Sequence, residues 1–188
     1  MSQLFIITGP SGVGKSFLIE KVMTLFPDSF VTPPVVTTRP PRAGEQPVDR
    51  HFVTVQEFRR MQEEGAFAVA DEFQGHWYGF PASAVLPSDK HVIFNTWPAP
   101  IPAFMSHASP VFIGMTIPPT HIDLLRRRME RRGDDAVTIA RRLKQVQIDM
   151  ADLAKQASAV NAQGRIFTIT DDSTIDTEII PWITTMIQ

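Results

Sequence analysis

Gly9-Pro10-Ser11-Gly12-Val13-Gly14-Lys15-Ser16, coming directly after Leu4-Phe5-Ile6-Ile7-Thr8, decides the fold of this 188-residue chain. The earlier run is of the apolar kind buried on both faces of a parallel sheet. The later one satisfies G-x-x-x-x-G-K-[ST]. From Lys15 to Phe26 the apolar positions Phe17, Leu18, Val22, Met23 and Leu25 then fall near helical spacing. Strand, glycine-rich turn and helix in that order are the context in which the pattern binds phosphate. Glycines let backbone N–H groups converge on phosphate oxygens at the positive end of the helix. Lys15 adds a point charge near the β- and γ-phosphates, and the Ser16 hydroxyl can ligate Mg²⁺. The stretch from Gly9 to Ser16 predicts a nucleoside triphosphate site.

Further apolar strands are predicted at His91–Asn95, Val111–Thr116 and Arg165–Thr170. Helices are predicted from Thr120 to Arg131, from Val137 to Ala157 and from Ser173 to Ile187. Strands alternating with helices mean α/β with a mainly parallel sheet. Prolines 33, 34, 40, 41 and 47 make residues 28–50 a loop-rich connection rather than regular structure. Thr54-Val55-Gln56-Glu57 reads as a capping box opening a helix to Glu64. Phe67–Phe73 and His76–Tyr78 read as a small antiparallel unit turning at Gln74-Gly75.

Composition excludes several classes. With no cysteine there is no disulfide, thiolate metal site or cysteine nucleophile. The five histidines show no metal-ligand spacing. No apolar run approaches the ~20 residues of a membrane span, and Met1-Ser2-Gln3-Leu4 has no charged n-region. A cytoplasmic protein without a membrane partner is expected. A net charge of −2 argues against a whole-surface grip on nucleic acid. Yet Arg126, Arg127, Arg128, Arg131, Arg132, Arg141 and Arg142 are seven of the 18 basic residues. They suit either a local phosphate cluster or a solvated helix face.

Thr37-Thr38-Arg39-Pro40-Pro41-Arg42-Ala43-Gly44-Glu45 sets two arginines three apart on a proline-stiffened loop. Guanidinium forks match phosphate oxygens bidentately, although exposed loop arginines read the same way. In this order and spacing, GPSGVGKS, TTRPPRAGE, DRHFVTVQEF, GHWYG, RRRMERRG and IARRL make the chain resemble the guanylate kinase family over nearly its full length. The resemblance implies a single domain with a three-layer P-loop kinase core at about 1–33, 81–125 and 149–188. It also implies a small acceptor-binding insertion at about 34–80 and a helical lid at about 126–148. ATP with Mg²⁺ is then the expected donor, and a small phosphomonoester the acceptor, bound by a monomer or homodimer. By position, Arg39, Arg42 and Tyr78 match residues that hold the acceptor phosphate. Arg132 and Arg142 match lid arginines that reach the transferring group. Lys15, Arg39, Arg132 and Arg142 are the expected catalytic set, and Ser16 the metal ligand.

The chain departs from the family where the family reads guanine. Val35 stands for a serine, Val69 for the base-reading glutamate, Phe80 for a serine or threonine, and Asn95-Thr96-Trp97 for D-x-D. Arg50 replaces a tyrosine. Guanine groups buried unpaired against apolar walls would cost about 1–3 kcal/mol each, unless Asp71, Glu72 or Asn95 substitutes. Asn95 also removes an acid that, in the family, helps organise Mg²⁺ water. Asp171-Asp172 could replace it, but matches better the segment bordering the donor adenine. Three readings follow: a kinase for a nucleoside monophosphate other than GMP, a ribose 1,5-bisphosphate kinase-like sugar-phosphate kinase, or a catalytically silent interaction module.

Overall fold

The structure, a computed structural model, describes residues 2–41, 50–85, 89–107, 109–162 and 164–187. Strands β1 (Leu4–Thr8), β2 (Phe30–Val31), β7 (His91–Thr96), β8 (Val111–Thr116) and β9 (Gly164–Thr168) form one five-stranded sheet in the order β2-β7-β1-β8-β9, parallel throughout. β1 lies in its middle with every residue buried, as its unbroken apolar run requires. Its register sets Ile7 beside Asn95 and Thr8 beside Thr96, so the ends of β1 and β7 open onto one place. Helix α1 (Lys15–Leu25) leaves that place directly. No helix among the described residues is long and apolar enough to cross a membrane.

A second sheet, four-stranded, is built from β3 (Val35–Thr37), β4 (Arg50–Phe52), β5 (Phe67–Phe73) and β6 (His76–Pro81), in the order β4-β3-β6-β5. Here the expectation of a loop-rich connection rather than regular structure over 28–50 holds only in part among the described residues, since Phe30–Val31 and Val35–Thr37 are strands. Val35–Thr37 forms a strand because β6 and β4 flank it, and such pairing overrides the weak local signal. β5 and β6 turn at Gln74-Gly75, both with positive φ, and β6 runs to Pro81 instead of stopping at Tyr78. Helix α2 (Val55–Glu63) starts where the capping box puts it, with the Glu57 N–H donating to the Thr54 hydroxyl.

Helix α3 (Ile101–His107) is short, and α4 (Ile122–Arg131) follows a single tight turn over Pro119–His121. Helix α5 (Ala136–Lys155) is capped by Asp135, which accepts from the Thr138 N–H at 2.8 Å. A separate helix α6 (Ala157–Ala162) continues from it. The expected last helix is present: it opens as a wide, π-helical stretch over Ile175–Ile179 and continues directly as α7 (Ile180–Met186). Pro181, with no N–H to donate, interrupts the regular ladder there.

One apolar cluster lies on the α1 side of the parallel sheet. The other joins Leu4, Ile6, Phe94 and Phe104 to Val35, Val69 and Phe80 of the second sheet. The two sheets therefore share a core.

Candidate active site

A cleft of about 550 Å³ lies at the carboxyl ends of β1 and β7. Gly9, Ser11, Gly12, Gly14, Lys15 and Ser16 form its floor, while Pro10 and Val13 face away. Gly9 is obligatory: a Cβ there would lie 2.2 Å from the Met115 carbonyl oxygen. Gly14 precedes α1 at φ 113°, which brings the loop to the helix end without steric cost. Lys15 folds back on its own loop, its Nζ donating to the carbonyls of Gly9 at 2.6 Å and Pro10 at 2.8 Å. It keeps part of its surface open to the cleft. Crowding by protein nonetheless pushes its pKa from 10.5 down to about 8, against the pull of Asp149 and with smaller help from Arg50 and Arg132.

Arg128 anchors the loop from α4. Its Nη1 donates to the Val13 carbonyl at 2.9 Å, and its Nη2 to Asp172 at 2.5 Å. Asp171 does not enter the cleft: hydrogen bonds from Ser173 hold its carboxyl below the usual range. Asp149, reaching in from α5, is raised by burial.

The far wall is aromatic. Trp97, just past β7, stacks on Phe73 and meets Tyr78 edge-on at 5.1 Å and Phe80 at 6.3 Å. Arg50 Nη2 donates to Asn95 Oδ1 at 3.3 Å across the same space. Arg50, Tyr78, Phe80, Asn95 and Trp97 thus all line the cleft.

Val35 and Val69 do not line the cleft. They are 3% and 5% exposed, drawn into the shared core where Phe94 and Phe104 pack. Arg39 also lies outside the lining. Its Nη1 donates to the Pro40 carbonyl at 2.7 Å, and its guanidinium covers Phe52. Arg42 falls outside the described residues. Arg132 lines the cleft, whereas Arg142 is buried against Asp134. One oxygen of Asp134 accepts from both, each at 2.5 Å.

Residue-type reasoning missed Phe73, Thr96 and Asp149, and named Arg128 only as one of an arginine cluster. Phe73 reads only as strand. Asp149 leaves a detectable mark, a charge on the buried stripe of a long helix. The Thr96 hydroxyl, buried at the cleft with no hydrogen-bond partner, leaves none.

The family model for guanylate kinase matches residues 1–163. A guanylate kinase of Nitratidesulfovibrio vulgaris is 37% identical over 147 residues, covering 74% of this chain and 69% of that protein. One from Thermosynechococcus vestitus is 35% identical over 156 residues, covering 79% and 80%. The crystal structure of guanylate kinase from Anaplasma phagocytophilum superposes with a TM-score of 0.66 at 23% identity, covering 100% of this chain and 87% of that one.

Proposed function

Because the chain belongs to the guanylate kinase family, and is on that account an ATP-dependent nucleoside monophosphate kinase-like phosphotransferase, we propose that its acceptor is a nucleoside monophosphate other than GMP. One observation carries this reading: the acceptor end of the cleft is walled by Phe73, Tyr78, Phe80 and Trp97. Such a wall stacks a flat ring well; Asp71 and Glu72 do not line it, and the Asn95 Oδ1 beside it is taken by Arg50, so guanine's polar edge would be poorly paired there. Residues 34–80 are taken as the acceptor-binding part and 126–148 as the lid.

In this reading Lys15 and Ser11–Ser16 backbone amides hold the donor's phosphates, and Arg132 reaches the transferring group. Arg39 and Arg42 are the residues assigned to the acceptor phosphate, with Tyr78 beside it. Phosphoryl transfer asks chiefly for alignment and charge neutralisation. The acceptor phosphate is already an anion, so no general base is required. The oxygen donors Ser16 and Thr96, the latter with an unpaired buried hydroxyl, suit a hard dication that keeps most of its waters. Magnesium held at Ser16 would neutralise charge on the β- and γ-phosphates. A cytoplasmic setting and a monomeric or homodimeric enzyme, without nucleic-acid or membrane partners, belong to the same proposal.

The Arg50–Asn95 contact favours one alternative acceptor, a sugar phosphate with a second anionic group for Arg50. ADP release, followed across a panel of nucleoside monophosphates and sugar phosphates with ATP and Mg²⁺, separates the two. Rapid turnover of GMP would refute the acceptor proposal.

A further inference from the structure

Of the large apolar side chains exposed among the described residues, Phe17 is the aromatic one and the one that lines the cleft. A lone exposed apolar residue is ordinary; its position here is not. Phe17 is 51% exposed in the first turn of α1, directly after Lys15 and Ser16, while Leu18 and Val22 carry the buried face of that helix. Helix side chains lean toward the N-terminus, so the ring leans toward the phosphate loop.

The ring is also tethered. Lys21, one turn on, sets its ammonium 5.4 Å from the Phe17 centroid and pairs with Asp176. Asp176 belongs to the Ile175–Ile179 stretch, so α1 is tied there to the segment that follows β9. Ile175 lines the cleft, its Cδ1 3.3 Å from where a Cβ on Gly14 would stand. Asp172, just ahead, is held by Arg128 Nη2 and lies 3.9 Å from Arg131. The sheet order sets this group opposite the aromatic wall. Trp97 follows β7, on one side of β1; Asp172 and Ile175 follow β9, beyond β8 on the other. The loop from Gly9 to Ser16 lies between them, at the end of β1.

A triphosphate held by that loop has two directions in which to send its nucleoside, and the aromatic wall is taken by the acceptor. We propose that the donor's nucleoside leaves by the opposite end and packs its base on the ring of Phe17, with Ile175 and Arg131 alongside. The inference rests on the donor-site reading of Gly9 to Ser16. Lys21 occupies one face of the ring, and the base takes the other. Such a contact meets the face of a base and reads no edge, so Phe17 supplies affinity rather than choice among bases. It is what distinguishes a nucleotide from a bare polyphosphate in this cleft.

Phe17→Ala in the full chain tests this, with ATP and inorganic tripolyphosphate as probes, each with Mg²⁺, by calorimetry. ATP affinity is expected to fall about tenfold, while tripolyphosphate affinity stays within about twofold of the parent and the melting temperature is retained. Phe17→Trp, which keeps a flat face, restores ATP affinity. ATP binding unchanged in Phe17→Ala overturns the proposal. So does an equal loss for both probes, which would make the ring a support of the loop. If Phe17→Ala does not fold, Phe17→Leu, which keeps apolar volume without a flat face, is read by the same criteria. A parent that binds tripolyphosphate as tightly as ATP overturns this inference alone; one that binds neither strikes down the donor-site reading with it.

Discussion

The indole of Trp97 lies against the ring of Phe73 with centroids 4.7 Å and planes 23° apart, joining the end of β7 to β5. The parallel sheet and the second sheet thus meet at the cleft through aromatic carbon. Behind them Phe80 packs on Phe94 and Phe104 at about the same spacing, 5.1 and 4.9 Å. The contact between sheets is part of the folded core and does not wait for a ligand to bridge it. An acceptor must slide along this wall.

Removing the indole should therefore act on the acceptor alone. Trp97→Ala is expected to raise the acceptor KM about tenfold while the ATP KM changes less than about twofold. Steady-state kinetics against each substrate in turn checks this. An equal rise in both would mean that the stack holds the whole cleft together and does not shape its acceptor end.

Donor binding should depend on pH through Lys15. In the empty protein its pKa is about 8, below the ordinary 10.5; phosphate contact favours the charged form. Below about pH 8 the lysine is already charged and contributes no pH dependence. Above it, binding must take up a proton, so ATP affinity falls as pH rises through about 8. Folding shows the other side of the linkage. The unfolded chain keeps this proton up to 10.5, so from this group alone the empty protein gains stability between about pH 8 and 10.5. Calorimetry of ATP binding at pH 9 in buffers of different ionisation enthalpy should detect the proton uptake; none at pH 9 would contradict the depressed value.

Asp134 carries two arginines, Arg132 and Arg142, on one oxygen, and Arg142 is 7% exposed. Neutralising it leaves a buried guanidinium uncompensated, which costs about 3 kcal/mol. Asp134→Asn should lower urea stability by that order, with transfer activity reduced as well because Arg132 loses its tether. Stability within about 0.5 kcal/mol of the parent would show that water or another group already screens Arg142.

The glycine-rich floor of the cleft was legible in the sequence and its aromatic wall only partly. Gly9 to Ser16 announce themselves because phosphate binding needs a fixed backbone, and a fixed backbone needs glycine at set spacing. The capping box at Thr54 is equally local. Val35 and Val69 mislead for the opposite reason. A valine that has lost contact with a ligand and one that has joined the core are the same letter, and only the packing with Phe94 and Phe104 distinguishes them. Phe73 reaches the cleft through a cross-strand hairpin and a stack on a residue 24 positions away, a relationship with no periodicity to detect. Asp149 needed the helix stripe at 139, 142, 146, 149 and 153 to stand out.

Arg39 provides the sharpest test of how the acceptor is gripped. The loop after β3 begins with the Thr37 hydroxyl accepting from the Arg39 N–H at 3.2 Å and donating to the Trp77 carbonyl at 2.9 Å, so its backbone is tied to β6. The guanidinium lies over Phe52 and donates to the carbonyl of its neighbour Pro40. Arg39→Ala should raise the acceptor KM by roughly 10- to 100-fold, the loss of one charge-assisted bidentate contact, and leave ATP binding by calorimetry and the melting temperature near the parent values. Loss of ATP binding instead would contradict the division of the cleft into a donor floor and an acceptor clamp.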